Sequence, residues 1–183
     1  MRPLFKCIWF VMVFTTVLIS AKTILSEFTG TETALGPPSG GTIDCPQGQL
    51  TGQYPVGPPC TKGHVHARNL VFQYLEKATD RRMSGTSTVT ANADWDGWTA
   101  VGPGSGPMWG TVQLRVKDGL WEGSWTGKRT VTTERADSTI HAVMFGTEGS
   151  VAGLKVEWNL VSASTPTSSV SKFSGQIIGT QSR

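Results

Sequence analysis

The sequence predicts an all-β fold, a single antiparallel β-barrel of about seven or eight strands preceded by an irregular N-terminal arm. Three observations carry that prediction. After residue 80 no stretch combines helical periodicity with cap signals, whereas short runs rich in Val, Thr and aromatic residues recur between Gly-, Asp- and Ser-rich breaks. The breaks are short, which makes sequential strands antiparallel neighbours. Finally, RVKDGLWEG places Asp118-Gly119 between alternating residues, a strong hairpin signal.

At the N-terminus, Arg2 and Lys6 precede an apolar run at 7–19 (CIWFVMVFTTVLI), followed by Ser20 and Ala21. A run of 13 residues is short for a bilayer span and matches the apolar region of a secretory signal peptide over 1–21. The expectation is a secreted, extracellular protein with no membrane association after cleavage. Loss of Arg2 and Lys6 lowers the formal charge from +3 to +1. That near-neutral chain offers no electrostatic footprint for nucleic acid.

Residues 22–63 are dominated by Gly, Pro, Thr and Ser (GPPSGGT, YPVGPPC) and lack hydrophobic periodicity. They read as an extended arm rather than a domain. Cys45 and Cys60 remain once Cys7 leaves with the signal, and an even count in an exported chain predicts a disulfide. Its loop is of the size for which chain entropy gives about 3 kcal/mol.

The barrel domain is expected over 64–183. HVHARNLVFQYLEKATD fits a strand or a short helix, its apolar residues deciding neither period. SGTSTVTANADW, MWGTVQLRV, IHAVMF, LKVEWNLV and FSGQIIG read as strands, and ASTPTSSVS as a polar loop before the last of them. A two-residue turn at Asp118-Gly119 pairs Lys117 with Leu120, Val116 with Trp121 and Val112 with Trp125. This register sorts Val112, Leu114, Val116, Trp121 and Trp125 onto one face, and Arg115, Glu122, Gln113 and Ser124 onto the other. Trp121 and Trp125 therefore point inward, as core or as the wall of a ligand cavity. Trp109 falls on the polar face beside Lys128, as a ligand platform or a cation–π partner.

Other candidate chemistry is sparse. His64 and His66 share a face on a strand, with His141 or a carboxylate as a third ligand, but no Glu follows at metal-site spacing, so no metal is predicted. ADWDGW sets Asp94 and Asp96 beside Trp95 and Trp98, either as a carbohydrate site or as a turn with its tryptophans covering a barrel end. No G-x-S-x-G, phosphate-binding loop or N-x-S/T sequon occurs, and no cofactor is implied.

DRRMSGTSTVTANAD, GPMWGTVQLRVKDGLWEGSWTGKR, GTEGSVAGLKVEWNL and the final FSGQIIG together resemble a group of secreted proteins of unknown function whose barrel is similar to that of allene oxide cyclase. The resemblance covers about residues 64–180. It implies a barrel with an interior suited to an apolar molecule, and it carries no catalytic residue over. The functional expectation is non-catalytic binding of a small apolar or amphipathic ligand, with Trp95, Trp98, Trp109, Trp121, Trp125 and His66 as candidate contacts. The alternatives are a cyclase or isomerase acting inside the barrel, with His66, Glu157 or Asp94 as inward acid or base, and a surface module that binds carbohydrate through Trp95, Trp98 and Trp109.

Overall fold

Alternation of small or β-branched residues with apolar ones gives the described chain ten strands and one short 3-10 turn. The computed structural model describes residues 22–45, 48–53, 64–96, 104–132, 135–165 and 168–181. The expected signal segment, Cys60 and Trp98 lie outside them, as do the side chains of Cys45 and His64, so the disulfide expectation falls there too.

The strands are β1 (Lys22–Ala34), β2 (Ser39–Cys45), β3 (Gly48–Gln53), β4 (His64–Ala78), β5 (Gly85–Asp96), β6 (Gly104–Val116), β7 (Gly119–Val131), β8 (Ala136–Gly149), β9 (Lys155–Thr165) and β10 (Ser168–Gln181). All pair antiparallel in one sheet. The pairing runs β1–β10–β9–β8–β7–β6–β5–β4 and returns from β4 to β1. The sheet therefore closes in a ring, and the β2–β3 hairpin continues alongside the first half of β4.

Following partners around the ring measures its stagger. Gly119 of β7 faces Val116, then come Gly85, Glu76, Glu32, Ser171, Ser162, Ser138 and finally Arg129, again on β7. The circuit returns to its starting strand ten residues further along. Such a stagger tilts the strands and leaves an interior that side chains fill or a small ligand occupies.

The described residues of the segment 22–63, which are 22–45 and 48–53, are not the irregular arm expected from its composition. They supply β1 to β3, and β1 closes the ring. Its inner face is Phe28, Gly30, Glu32 and Ala34, so strand formation there leaves almost no alternation of hydropathy. Gly30 is required because a Cβ would collide with the Phe173 ring. The strand-or-helix ambiguity at 64–80 resolves as the long strand β4. The expected loop ASTPTSSVS is mostly strand, since β9 runs to Thr165 and β10 starts at Ser168.

The β6–β7 hairpin forms with a different register. The turn is Lys117-Asp118, so Val116 pairs with Gly119, Leu114 with Trp121 and Gly110 with Trp125. Gly119 does not adopt the positive φ that a type I′ Asp118-Gly119 turn would use. Gly119 instead lies in the ladder beside Gly149, where a Cβ would meet the Glu148 carbonyl and Val151, and Ser150 N–H donates to the Asp118 carbonyl at 2.7 Å. Because the shift is by an even number of residues, the predicted faces survive and only the partners change. Gln113 Nε2 now donates to Glu122 (2.8 Å), and Arg115 pairs with Glu148 (3.2 Å).

One end of the interior is solid. The chain between β4 and β5 makes a 3-10 turn, Arg81–Met83, capped by the Asp80 side chain, which accepts from Arg82 N–H. Met83 enters the ring and is fully buried among Leu114, Val116, Trp121, Met144, Val151, Val156 and Ile177. The Trp121 indole donates to the Arg82 carbonyl at 2.7 Å, which ties the plug to the wall.

Candidate functional site

Beyond that plug the interior opens into a cavity of about 590 Å³. A row of cross-strand partners alternates small and large, Ala91, Gly110, Trp125, Ala142, Trp158, Gly175 and Phe28, and Ala91, Trp125, Ala142 and Trp158 of that row form the cavity floor. Large indoles fit because each has a small neighbour, and a Cβ on Gly110 would sit 3.0 Å from Trp125 Nε1. Trp158 also packs on Phe173 at 4.9 Å between ring centroids. The indole nitrogens of Trp125 and Trp158 are buried with no hydrogen-bond partner, although both side chains line the cavity.

Four residues further along β7 the character of the inner wall changes. Arg129 pairs with Ser138, Ser138 with Ser162, Ser162 with Ser171, Ser171 with Glu32, and Glu32 with Glu76. These residues form one polar row across six strands, in phase with the apolar residues of each strand and therefore facing inward. Arg129 donates to Ser138 at 3.0 Å, and Ser87 donates to Glu76 at 2.7 Å. Arg129 and Glu32 are the two charged residues among those lining the cavity.

Glu32 and Glu76 face each other where β1 meets β4, with Glu76 only 1 % exposed. Burial, followed by the Glu76 charge and the hydrogen bond to it, raises the Glu32 carboxyl far above the ordinary carboxylate range. Glu76 is also raised, by burial, against the opposing pull of hydrogen bonds from Ser87 and Glu32. Two carboxyls this close in a desolvated wall share a proton, because two adjacent charges there are costly.

The residues singled out in the sequence are scattered over three environments. Trp125 and Trp95 line the cavity, the latter 9 % exposed and packed with Ile43, Val65, Ala67, Leu70 and Ala93. Trp95 is thus interior and offers no surface platform. Trp121 belongs to the solid end. His66 lies on the outside, 50 % exposed, bonded through Nδ1 to Asp94 at 2.6 Å. Arg68 also binds Asp94, at 2.7 Å, and the two bonds hold that carboxyl below its usual range.

Trp109 is half-buried on the same outer face. Its partner is Thr126 rather than Lys128, and its cation is Arg68, 5.3 Å from the ring centroid. His141 is likewise external and bonded to Asn159 at 3.0 Å. Glu157 faces outward beside Lys155, which lowers its carboxyl. Of the acids expected to act inside the ring, neither Asp94 nor Glu157 faces it, and among the described residues the inward acids are Glu32 and Glu76. Among the described residues, no group of three His, Cys, Asp or Glu is placed to hold a metal.

Sequence reasoning missed the entire polar row. The available signal was phase: Ser162 follows Trp158 and Leu160 at period two, Ser171 precedes Phe173, and Glu76 follows Phe72 and Tyr74. Comparison of the chain with family models, curated proteins and solved structures finds no match.

Proposed function

We propose that this chain is an exported β-barrel protein that binds one small apolar or amphipathic molecule inside its ring of strands, without transforming it. The observation that carries this reading is the 590 Å³ cavity whose floor is aromatic and whose wall bears a continuous polar row. Ligand sites of this kind are mostly apolar with a few placed polar groups. The staggered closure of the sheet, the sequence's resemblance to secreted proteins with an allene oxide cyclase-like barrel and the apolar N-terminal run support the same reading.

Titration with N-phenyl-1-naphthylamine, a neutral dye that brightens in apolar surroundings, tests it. Saturable one-to-one binding is expected, with energy transfer from tryptophan to the dye. Ala142→Leu, which places a larger side chain between Trp125 and Trp158, is expected to weaken that binding. A folded protein that shows no saturable dye binding would overturn the reading.

A second reading, an isomerase or cyclase, is favoured by one specific observation. Glu32 lines the cavity with Glu76 as its cross-strand partner, and burial raises both carboxyls toward neutrality, the condition general acid–base work requires. Turnover of a bound ligand recovered from the native source, lost in Glu32→Gln, would move the assignment from binding to catalysis.

A further inference from the structure

We infer that the ligand is an amphiphile carrying a protonated amine, held at the Glu32–Glu76 pair with its apolar body over Trp125 and Trp158. The inference rests on the cavity-binding reading and names the chemistry of its occupant.

Three observations converge on an ammonium group. First, no cationic side chain among the described residues bonds to the carboxyl pair. The other side chains that bond to it are Ser87 and Ser171, and Arg129, the one cation among the described residues lining the cavity, stands at the other end of the row. A cation from solution supplies the missing counter-charge and displaces the shared proton. Second, Glu32 lines the cavity with Glu76 as its cross-strand partner, so a ligand N–H that replaces the shared proton can donate to the pair. Buried acceptors deprived of that proton are costly, and the ligand N–H removes the cost.

Third, the strand that carries Glu76 also presents Phe72 and Tyr74 to the cavity, stacked at 6.0 Å and 14°, with the indoles of Trp125 and Trp158 on the floor. Aromatic faces next to a carboxylate attract organic cations. The need for an N–H donor further favours a primary, secondary or tertiary amine over a quaternary one.

Decylamine, decanol, decanoate and decyltrimethylammonium compared as displacers of N-phenyl-1-naphthylamine at pH 7 test the inference. Decylamine is expected to displace the dye at a concentration about tenfold or more below that of the other three. Calorimetry in buffers of different ionisation enthalpy is expected to register release of about one proton per amine bound. In Glu32→Gln, and separately in Glu76→Gln, the amine's advantage over decanol should vanish while decanol binding persists, which also reports that the variants fold.

Decanoate binding best would assign the head group to Arg129 and overturn the inference while leaving the cavity reading intact, as would decylamine binding no better than decanol. If neither the dye nor decanol binds the wild-type protein, the cavity reading itself fails.

Discussion

The two ends of the ring's interior use tryptophan for opposite purposes. Trp121 is fully buried, hydrogen-bonded to Arg82 and packed on Met83, so every part of it has a partner. Trp125, four residues along the same strand and on the same face, borders open space and leaves its indole N–H unpaired. Both residues look alike in sequence. What separates them is whether a loop folds back into the ring, and the 3-10 turn at Arg81–Met83 does so at one end only.

This contrast can be broken most forcefully at Trp121. Trp121→Ala is expected to lower unfolding free energy in urea by about 3–5 kcal/mol, since it opens a cavity in packed surroundings and removes the plug's anchor. Added volume should then separate the two ends. Val151→Phe at the solid end is expected to cost about 1–3 kcal/mol, whereas Ala142→Phe has the cavity to enter and should cost less than Val151→Phe. Equal costs for the two would show that the ends are packed alike.

The carboxyl pair sharpens the comparison through pH. Glu32 and Glu76 titrate higher in the folded state than in the unfolded chain. Their contribution to stability is therefore fully present below the unfolded carboxylate range and is lost as pH rises toward neutrality. Glu76→Gln is expected to flatten this loss and to stabilise the protein at pH 8 by more than about 1.4 kcal/mol, read from urea midpoints across pH.

The solid end behaves in the reverse sense. Asp80, lowered to about 2 mainly by its hydrogen bond from Arg82, contributes stability above the unfolded carboxylate range that is lost as pH falls toward 2. Asp80→Asn should cost about 1 kcal/mol at pH 7 and remove the acid-side slope. The smallest effect belongs to neither end. Arg115→Ala breaks an exposed pair with Glu148 and should change stability by less than about 0.5 kcal/mol.

The strands from β5 to β10 were legible because their inner faces carry Val, Leu, Trp, Met and Ile at period two. β1 was not, because a wall needs small and polar residues opposite large ones, and Phe28, Gly30, Glu32 and Ala34 satisfy that need without a hydropathy pattern. The inward direction of Trp121 and Trp125 was legible, and it survived a wrong register because the error was even. The partners were not legible, since the backbone contacts of Gly119 with the β8–β9 turn moved the hairpin by two residues. Most of all, the polar row was hidden. Arg129, Ser138, Ser162, Ser171, Glu32 and Glu76 come from six strands, and only the stagger of the closed sheet puts them in line.

That closure also dictates an order of folding. β1, the first described strand, completes the ring by pairing with β10, the last described one, so the contact can form only once β10 is available. Until β1 docks, β10 and the far half of β4 present unpaired edges, the surfaces by which nascent chains associate wrongly. The carboxyl pair lies on the other edge of β1, against β4, so its shared proton belongs to a contact that forms as soon as those two strands meet, before the closing one.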